Sequence, residues 1–427
     1  MKALMFGWEF PPHISGGLGT ASYGLTKGLA KSGVEILFVM PKASGDEDSS
    51  IGRIINASDI VSSTDVFSEN YWTNVNFLSV SSSLIPYLGF EDYEQLREDS
   101  LHKRISVSHL GEKYKFSGKY GANLMEEVVR YAMVAATIAK ENEFDIIHAH
   151  DWLTYLAGIV AKKISGKPLV IHVHATEFDR SGESVNQNVY NLEKLGMDEA
   201  DAVMVVSNLT RNIVITRYNI VESKVFTVHN AVDFSKETAP AVNRAVDEKV
   251  VTFLGRITFQ KGPEYFIEAA SKVAARLSNV RFVMAGSGDM MYRMVKRVAK
   301  LNLGSKFHFT GFLKGDDVTK MYSYSDVYVM PSVSEPFGIS PLEAMRSGVP
   351  VIISKQSGVS EVLKHALKIN FWDVNALADS IYALLTYKGL NNMITKSGLE
   401  EVNSFSWDET AGLVKNIYSK TLEQHKL

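Results

Sequence analysis

Short, unbroken apolar runs recur along this chain, each followed by a polar or glycine-rich turn and then by a stretch with helical spacing. In the first half the runs are Ala3–Phe6, Ile36–Met40, Phe77–Val80, Asp145–His148, Leu169–Val173 and Ala202–Val206. They are rich in β-branched residues and do not alternate with polar ones, which is the pattern of strands buried on both faces of a parallel sheet. Helical patterns between them predict helices over Thr20–Ser32 and Leu124–Glu141. The second half repeats the rhythm with Val250–Leu254, Val280–Ala285, Phe307–Thr310, Val327–Met330 and Val349–Ile353. Between its first two runs, Phe266, Ile267, Ala270, Val273, Ala274 and Leu277 form an apolar stripe that predicts a helix over Pro263–Leu277, with Pro263 suited to the first turn.

Strand–helix alternation in both halves implies an α/β protein of two Rossmann-like, doubly wound domains facing a central cleft. The first domain is expected over about 1–235 and the second over about 236–405, joined by a polar linker near Asp233–Lys249. No solenoid repeat and no low-complexity tract interrupts this order. Ligands of such folds bind at the carboxyl ends of the strands, so the chemistry is expected between the domains.

Composition narrows the choice further. With 45 Lys and Arg against 48 Asp and Glu, the formal net charge is −3, which gives no reason to expect nucleic acid as a partner. The absence of cysteine removes thiolate nucleophiles, disulfides and Cys-ligated metals. No run approaches the ~20 apolar residues of an integral membrane segment, and the opening Met1-Lys2-Ala3-Leu4-Met5-Phe6 is too short for a signal peptide, so a cytoplasmic protein is expected.

The most informative segment is Ser334-Glu335-Pro336-Phe337-Gly338-Ile339-Ser340-Pro341-Leu342-Glu343-Ala344-Met345. Ser340 is expected as a helix N-cap with Pro341 in the first helical position. The amides around Gly338, Ile339 and Ser340, with the positive end of that helix, would make an anion site. Glu335 precedes it on the loop, and Glu343 lies far enough beyond it to reach a ribose. Upstream, Arg256 and Lys261 follow a strand directly, where two cations can neutralise a diphosphate.

Together these segments resemble the signature of the retaining GT-B glycosyltransferases, the superfamily that includes glycogen and starch synthases. Gly16-Gly17-Leu18, His148-Ala149-His150-Asp151-Trp152, His172-Val173-His174, Ser207-Asn208, His229-Asn230-Ala231-Val232-Asp233, Ala285-Gly286-Ser287-Gly288-Asp289 and Ser357-Gly358-Val359-Ser360-Glu361 fall in the family's order. The resemblance covers the chain, most thinly over about 42–143. It implies a nucleotide-diphosphate sugar donor, UDP- or ADP-glucose, bound through its diphosphate by Arg256 and Lys261 and through its ribose by Glu343. It implies that Glu335 lies beside the transferred sugar, that Gly338, Ile339 and Ser340 hold sugar and phosphate, and that Gly16 and Gly17 close over the donor. His174 would contact the sugar's primary hydroxyl, and Asp151 would face the acceptor. No cofactor and no metal is expected, because protein cations take the divalent ion's place. The last helix, about 406–427, is expected to cross back to the first domain.

Other patterns carry less. His148 reads as a core histidine, while His150 is open between core and site. Met290, Met291 and Met294 read as helix core, and Gly286-x-Gly288 lacks the third glycine of a dinucleotide fingerprint. Asp46-Glu47-Asp48 reads as a solvated loop. Tyr71, Trp72, Tyr87, Phe90, Tyr93, Tyr114, Phe116 and Tyr120 could line a groove for an α-glucan acceptor or could be ordinary packing. Ile14 departs from the lysine that ADP-glucose-using glucan synthases carry there. The expectation is therefore a retaining, glycogen-synthase-like hexosyltransferase. A non-glucan acceptor stands as the alternative, and a nucleotide-sugar epimerase stands further off.

Overall fold

The structure, a computed structural model, describes residues 1–13, 16–62, 113–118, 120–121, 123–232 and 248–426. Among these residues seven strands form one sheet: β1 (Lys2–Phe6), β2 (Glu35–Met40), β3 (Arg53–Asn56), β4 (Ile146–His150), β5 (Leu169–Val173), β6 (Ala202–Val205) and β7 (Val225–Thr227). Their order is β3-β2-β1-β4-β5-β6-β7, with every neighbouring pair parallel. A second all-parallel sheet takes the order β10-β9-β8-β11-β12-β13, from β8 (Lys249–Leu254), β9 (Val280–Ala285), β10 (Phe307–Gly311), β11 (Val327–Met330), β12 (Val351–Ser354) and β13 (Leu367–Ile369).

Both sheets are buried on both faces, as the unbroken apolar runs require. Along β1, Leu4 and Phe6 enter one core, while Ala3 and Met5 enter a separate core on the opposite face. The second sheet does the same: Val251 and Phe253 belong to one cluster, Tyr328 and Met330 to the other. Burial of fully apolar strands at about 25 cal/mol per Å² is the dominant favourable term here.

Each sheet reverses its winding once, between β1 and β4 in the first and between β8 and β11 in the second. These switch points are where a doubly wound sheet opens a crevice beyond its strand ends. The loops that leave β1, β4, β8 and β11 carry Gly16–Gly17, Asp151, Arg256–Lys261 and Glu335–Gly338, so the topology places the candidate residues at the two crevices.

The helix Trp407–His425 lies on the first domain, although it ends the chain. It packs against the helix Gly17–Lys31, where Lys31 pairs with Asp408 at 3.1 Å and the Lys415 ammonium donates to the Ser32 carbonyl.

Several elements differ from the pattern-based expectation. The first helix begins at Gly17 rather than Thr20, because glycines can enter a helix that an apolar periodicity does not mark. The helix after β8 ends at Ala274, and Leu277 packs on the core from just beyond it. Strands β3, β7 and β13 went unseen: each is a sheet edge of three or four residues, mostly half-buried or exposed. The strand expected at Phe77–Val80, and the linker apart from its last two residues, lie outside the described residues. Of the eight aromatic groove candidates, Tyr114, Phe116 and Tyr120 are buried in the first domain's core, so they do not line an exposed groove. Tyr71, Trp72, Tyr87, Phe90 and Tyr93 lie outside the described residues.

Candidate active site

The second domain's share of the site is built on two loops. After β8, the segment Gly255–Ile257 is fixed by backbone bonds to the end of β9 and the loop after it: the Gly255 amide donates to the Ala285 carbonyl at 3.0 Å, and the Ile257 amide to the Ser287 carbonyl at 2.8 Å. Gly286 makes this approach possible. Its φ is +141°, and a Cβ there would lie 1.8 Å from the Gly255 carbonyl oxygen. The Gly-x-Gly pair thus serves backbone contact between neighbouring loops. On the loop so held, an Arg256 guanidinium nitrogen donates to the Gln260 side-chain carbonyl at 2.8 Å. The Arg256 charge also acts on Asp289, whose carboxyl burial nevertheless pushes up.

After β11, the chain passes Ser332 and Glu335 and reaches Gly338 at φ +102°, a backbone region that side chains rarely adopt. The Glu335 amide donates to the Gln356 carbonyl, and the Gly358 amide donates to the Glu335 carbonyl, which bolts the loop to the one after β12. The Glu335 carboxylate is buried, accepts from the Ser332 hydroxyl at 3.2 Å and forms an ion pair with the Lys261 ammonium. Lys261 and Glu335 lie 74 positions apart in sequence and meet only here. Beyond them the helix Ser340–Arg346 starts with Ile339 at its cap and no side chain capping it. The expectation that Ser340 would cap is corrected: Ser340 is the first helical residue, and Pro341 the second. The amides near Ile339 therefore keep no side-chain cap, which suits an anion there. Glu343 stands in the first turn of this helix, half-buried.

In the first domain, Asp151 follows β4 with φ +62° and ψ +167°, a conformation that is almost exclusive to glycine and costs on the order of 1–3 kcal/mol. It is the N-cap residue of the helix Trp152–Ser165, but its side chain makes no capping bond. Its carboxylate instead reaches across to the loop after β5 and accepts from the His174 amide at 3.2 Å and the Ala175 amide at 3.4 Å. Burial pushes the Asp151 carboxyl up to about 6, against the pull of Arg180 and these amides. His174 is held neutral: burial lowers its imidazolium to about 3. Its Nε2 lies 2.9 Å from His150 Nδ1. His148 is a core residue, as expected, with Nδ1 at 2.5 Å from the Tyr418 hydroxyl of the last helix. His150 is buried as well, so it belongs beneath the site rather than in it. Gly16 caps the helix Gly17–Lys31 without a side chain, and nothing lies within 4 Å of a Cβ built on either Gly16 or Gly17.

The two halves meet through residues that sequence reasoning missed. Thr176 and Asp179 form a reciprocal capping box at the start of the short helix Glu177–Ser181. The other Asp179 oxygen accepts from the Ser334 hydroxyl of the second domain at 2.5 Å, one residue before Glu335. Arg180 is buried between Glu177 and Glu193, and Tyr218 donates to Glu193. Burial pushes the Glu193 carboxyl up, and the Arg180 charge opposes it. The T-x-x-D spacing of Thr176 and Asp179 was legible; the domain contact was not. A second seam lies at Glu361, whose carboxylate accepts from the Asn208 and Leu209 amides at 2.8 and 2.6 Å and lies 3.3 Å from His229 Nε2.

The structure thus joins Lys261 to Glu335 and Asp151 to the His174 segment, and it brings these two groups together through Asp179 and Ser334. Arg256 stands on the loop after β8, and Gly338, Ile339, Ser340 and Glu343 stand on the segment after β11, the two strands that flank the second sheet's switch point.

Comparison with known proteins agrees with this fold. Residues 2–224, more than half of the chain, match the family described as "Starch synthase catalytic domain", and residues 235–401 match "Glycosyl transferases group 1". An uncharacterized glycosyltransferase of Methanocaldococcus jannaschii is 29% identical over 442 residues, covering 99% of both chains. Among solved structures, sucrose-phosphate synthase of Thermosynechococcus elongatus superposes with a TM-score of 0.73 at 19% identity, over 99% of both chains. The Anabaena protein HepE, solved in complex with UDP and glucose, does so with a TM-score of 0.68 at 17% identity, over 98% of this chain and 100% of its own.

Proposed function

This chain belongs to the GT-B glycosyltransferases of the starch- and glycogen-synthase type, and from that membership we propose that it transfers glucose from UDP- or ADP-glucose to the end of an α-glucan with retention of configuration. The observation that carries the reading is the Lys261–Glu335 pair, a cation and a buried carboxylate set at the seam where Ser334 meets Asp179. A diphosphate leaving group needs cations where its charge develops, and a transferred sugar needs a carboxylate beside it.

Arg256 and Lys261 hold the diphosphate, with the start of the helix Ser340–Arg346 behind it. The acceptor oxygen attacks the anomeric carbon on the face from which the diphosphate leaves. As the bond from that carbon to the phosphate oxygen breaks, its electron pair stays on the diphosphate, which takes the acceptor's proton. Glu343 holds the ribose, and Gly338 to Ser340 hold sugar and phosphate. His174 contacts the primary hydroxyl as a neutral imidazole, Asp151 faces the acceptor, and Gly16 and Gly17 close over the donor. This route needs no carboxylate nucleophile with a partner acid, unlike that of retaining glycosidases, so the work is positioning and electrostatic stabilisation. The donor assignment is supported by HepE, which was solved with UDP and glucose.

A non-glucan acceptor is the second reading. Burial of Tyr114, Phe116 and Tyr120 removes part of the aromatic surface that a glucan would use, and sucrose-phosphate synthase shares this fold. The deciding experiment incubates the protein with labelled UDP- or ADP-glucose and maltooligosaccharides. Label entering the chains as α-linked units removable by an exo-amylase supports the glucan reading. Donor consumption with another acceptor, while glucans stay unlabelled, overturns it and leaves the family standing.

A further inference from the structure

Beneath the acceptor-side wall lies a group of four histidines, of which sugar transfer uses only His174. His148 and His150 stand two residues apart on β4, and His172 and His174 two apart on and just after β5. Residues at i and i+2 of a strand share a face, and the sheet register sets His150 against His172. The result is a two-by-two array of imidazoles on one face, with ring centroids 4.1–5.6 Å apart. His148, His150 and His172 are at most 1% exposed.

Polar atoms this deep ordinarily have partners, since an unsatisfied one costs about 1–3 kcal/mol. Here His148 Nε2, His150 Nε2, both ring nitrogens of His172 and His174 Nδ1 find none among the described residues. One ring nitrogen from each of His148, His150 and His172 lies within 4.8 Å of the others.

We propose that His148, His150 and His172 bind a divalent first-row transition metal, Zn²⁺ by the character of the donors, inside the first domain. Imidazole selects such ions over Mg²⁺ and Ca²⁺, which require oxygen donors. Three imidazoles with a fourth position open to a non-protein ligand is a known zinc donor set. The second shell also fits. With Nδ1–H of His148 donating to the Tyr418 oxygen and Nδ1–H of His150 donating to His174 Nε2, the Nε2 lone pairs of both are free for a metal. Zinc–nitrogen bonds of about 2.0–2.1 Å place tetrahedral ligand atoms roughly 3.3 Å apart, so nitrogens that lie within 4.8 Å of one another draw together by up to about 1.5 Å, and the stacked rings turn toward a common point, when the ion enters. Tyr418 lies on the last helix, so the metal would tie the chain's end to the centre of the first sheet. It would also brace the strand ends that carry Asp151 and His174. It lies in the other domain from the diphosphate cations Arg256 and Lys261 and takes no part in leaving-group chemistry. Metal binding at this site is independent of the proposed transfer reaction.

The test uses the full-length protein, dialysed against a chelator and then titrated with Zn²⁺ by calorimetry and with Co²⁺ by visible absorption. One Zn²⁺ per chain, an intense four-coordinate Co²⁺ band and a rise in Tm on metal addition are expected. Tyr418→Phe should keep the fold and weaken Zn²⁺ binding about 10–100-fold, as loss of an outer-shell partner does. His172→Asn should abolish the Co²⁺ band, while the surface variant His13→Asn should leave it intact. Wild-type protein that takes up no stoichiometric Zn²⁺, or a band that persists in His172→Asn, would overturn the proposal.

Discussion

Replacing Lys261 by methionine tests the diphosphate clamp most directly, because the same side chain also neutralises a buried carboxylate. Lys261 and Glu335 are 19% and 9% exposed at their side chains, and Glu335 otherwise keeps the Ser332 hydroxyl at 3.2 Å. Two effects should separate. Loss of a cation where charge develops should lower kcat on the order of 10²-fold or more, about 2.7 kcal/mol of transition-state stabilisation. Donor affinity should fall by much less. Independently, the stranded Glu335 charge should destabilise the fold, by up to about 3–5 kcal/mol for a fully buried pair and less for this partly solvated one. In a domain of this size roughly 2–4 °C of Tm is lost per kcal/mol, so a fall of roughly 5–10 °C is expected. Adding Glu335→Gln to Lys261→Met removes the uncompensated charge and should restore most of the Tm while turnover stays low. The assay is nucleotide-diphosphate release under donor saturation, beside thermal denaturation of the same preparations. If Lys261→Met retained turnover within about threefold of the wild type, the loop would be structural and the diphosphate would lie elsewhere.

Further outcomes follow from the same geometry. Glu343→Ala should raise the donor KM with kcat nearly unchanged, whereas Arg256→Ala should lower kcat, and steady-state kinetics showing the same change for both would refute the assigned roles. Turnover should be the same with and without added Mg²⁺ or Mn²⁺, and strict dependence on either would remove Arg256 and Lys261 from the diphosphate. Gly286→Ala should cost about 3 kcal/mol or more, because it joins a disfavoured φ to a clash with the Gly255 carbonyl, and an unchanged Tm would contradict the loop packing. Burial raises the Glu361 carboxyl, but the His229 contact and the Asn208 and Leu209 amides outweigh it, so its pKa is net lowered. Its contribution is then full above the ordinary carboxylate range and fades as pH falls through the depressed value. Acid unfolding of the wild type and Glu361→Gln should therefore converge at low pH and differ near neutrality, and a constant gap across pH would count against the seam.

Much of the architecture was written in local pattern. Leu169–Val173 and Val327–Met330 were legible as strands because each is sealed on both faces, and an apolar run records that burial whatever its neighbours are. The helix Leu124–Glu141 was legible because its centre, Tyr131 to Ala139, is buried all round and carries no charge, while its charged residues stand toward the two ends. Edge strands β3, β7 and β13 left no such record, since each is short and has only one buried residue. The candidate residues at the carboxyl ends of β1, β4, β8 and β11 could be named from sequence, because turn chemistry and charge at a strand end are local properties.

What only the tertiary structure decided is which of these residues touch. The Lys261–Glu335 pair, the Asp179–Ser334 bond between domains, and the return of Tyr418 to His148 all join positions far apart in the chain. The histidine array shows the difference most plainly. Each His-x-His spacing is visible in the sequence and places two rings on one face of a strand. Whether the two pairs adjoin depends on β4 lying beside β5 with His150 set against His172, and that register is fixed by burial on both sheet faces and by the crossover between the strands, not by the histidines themselves.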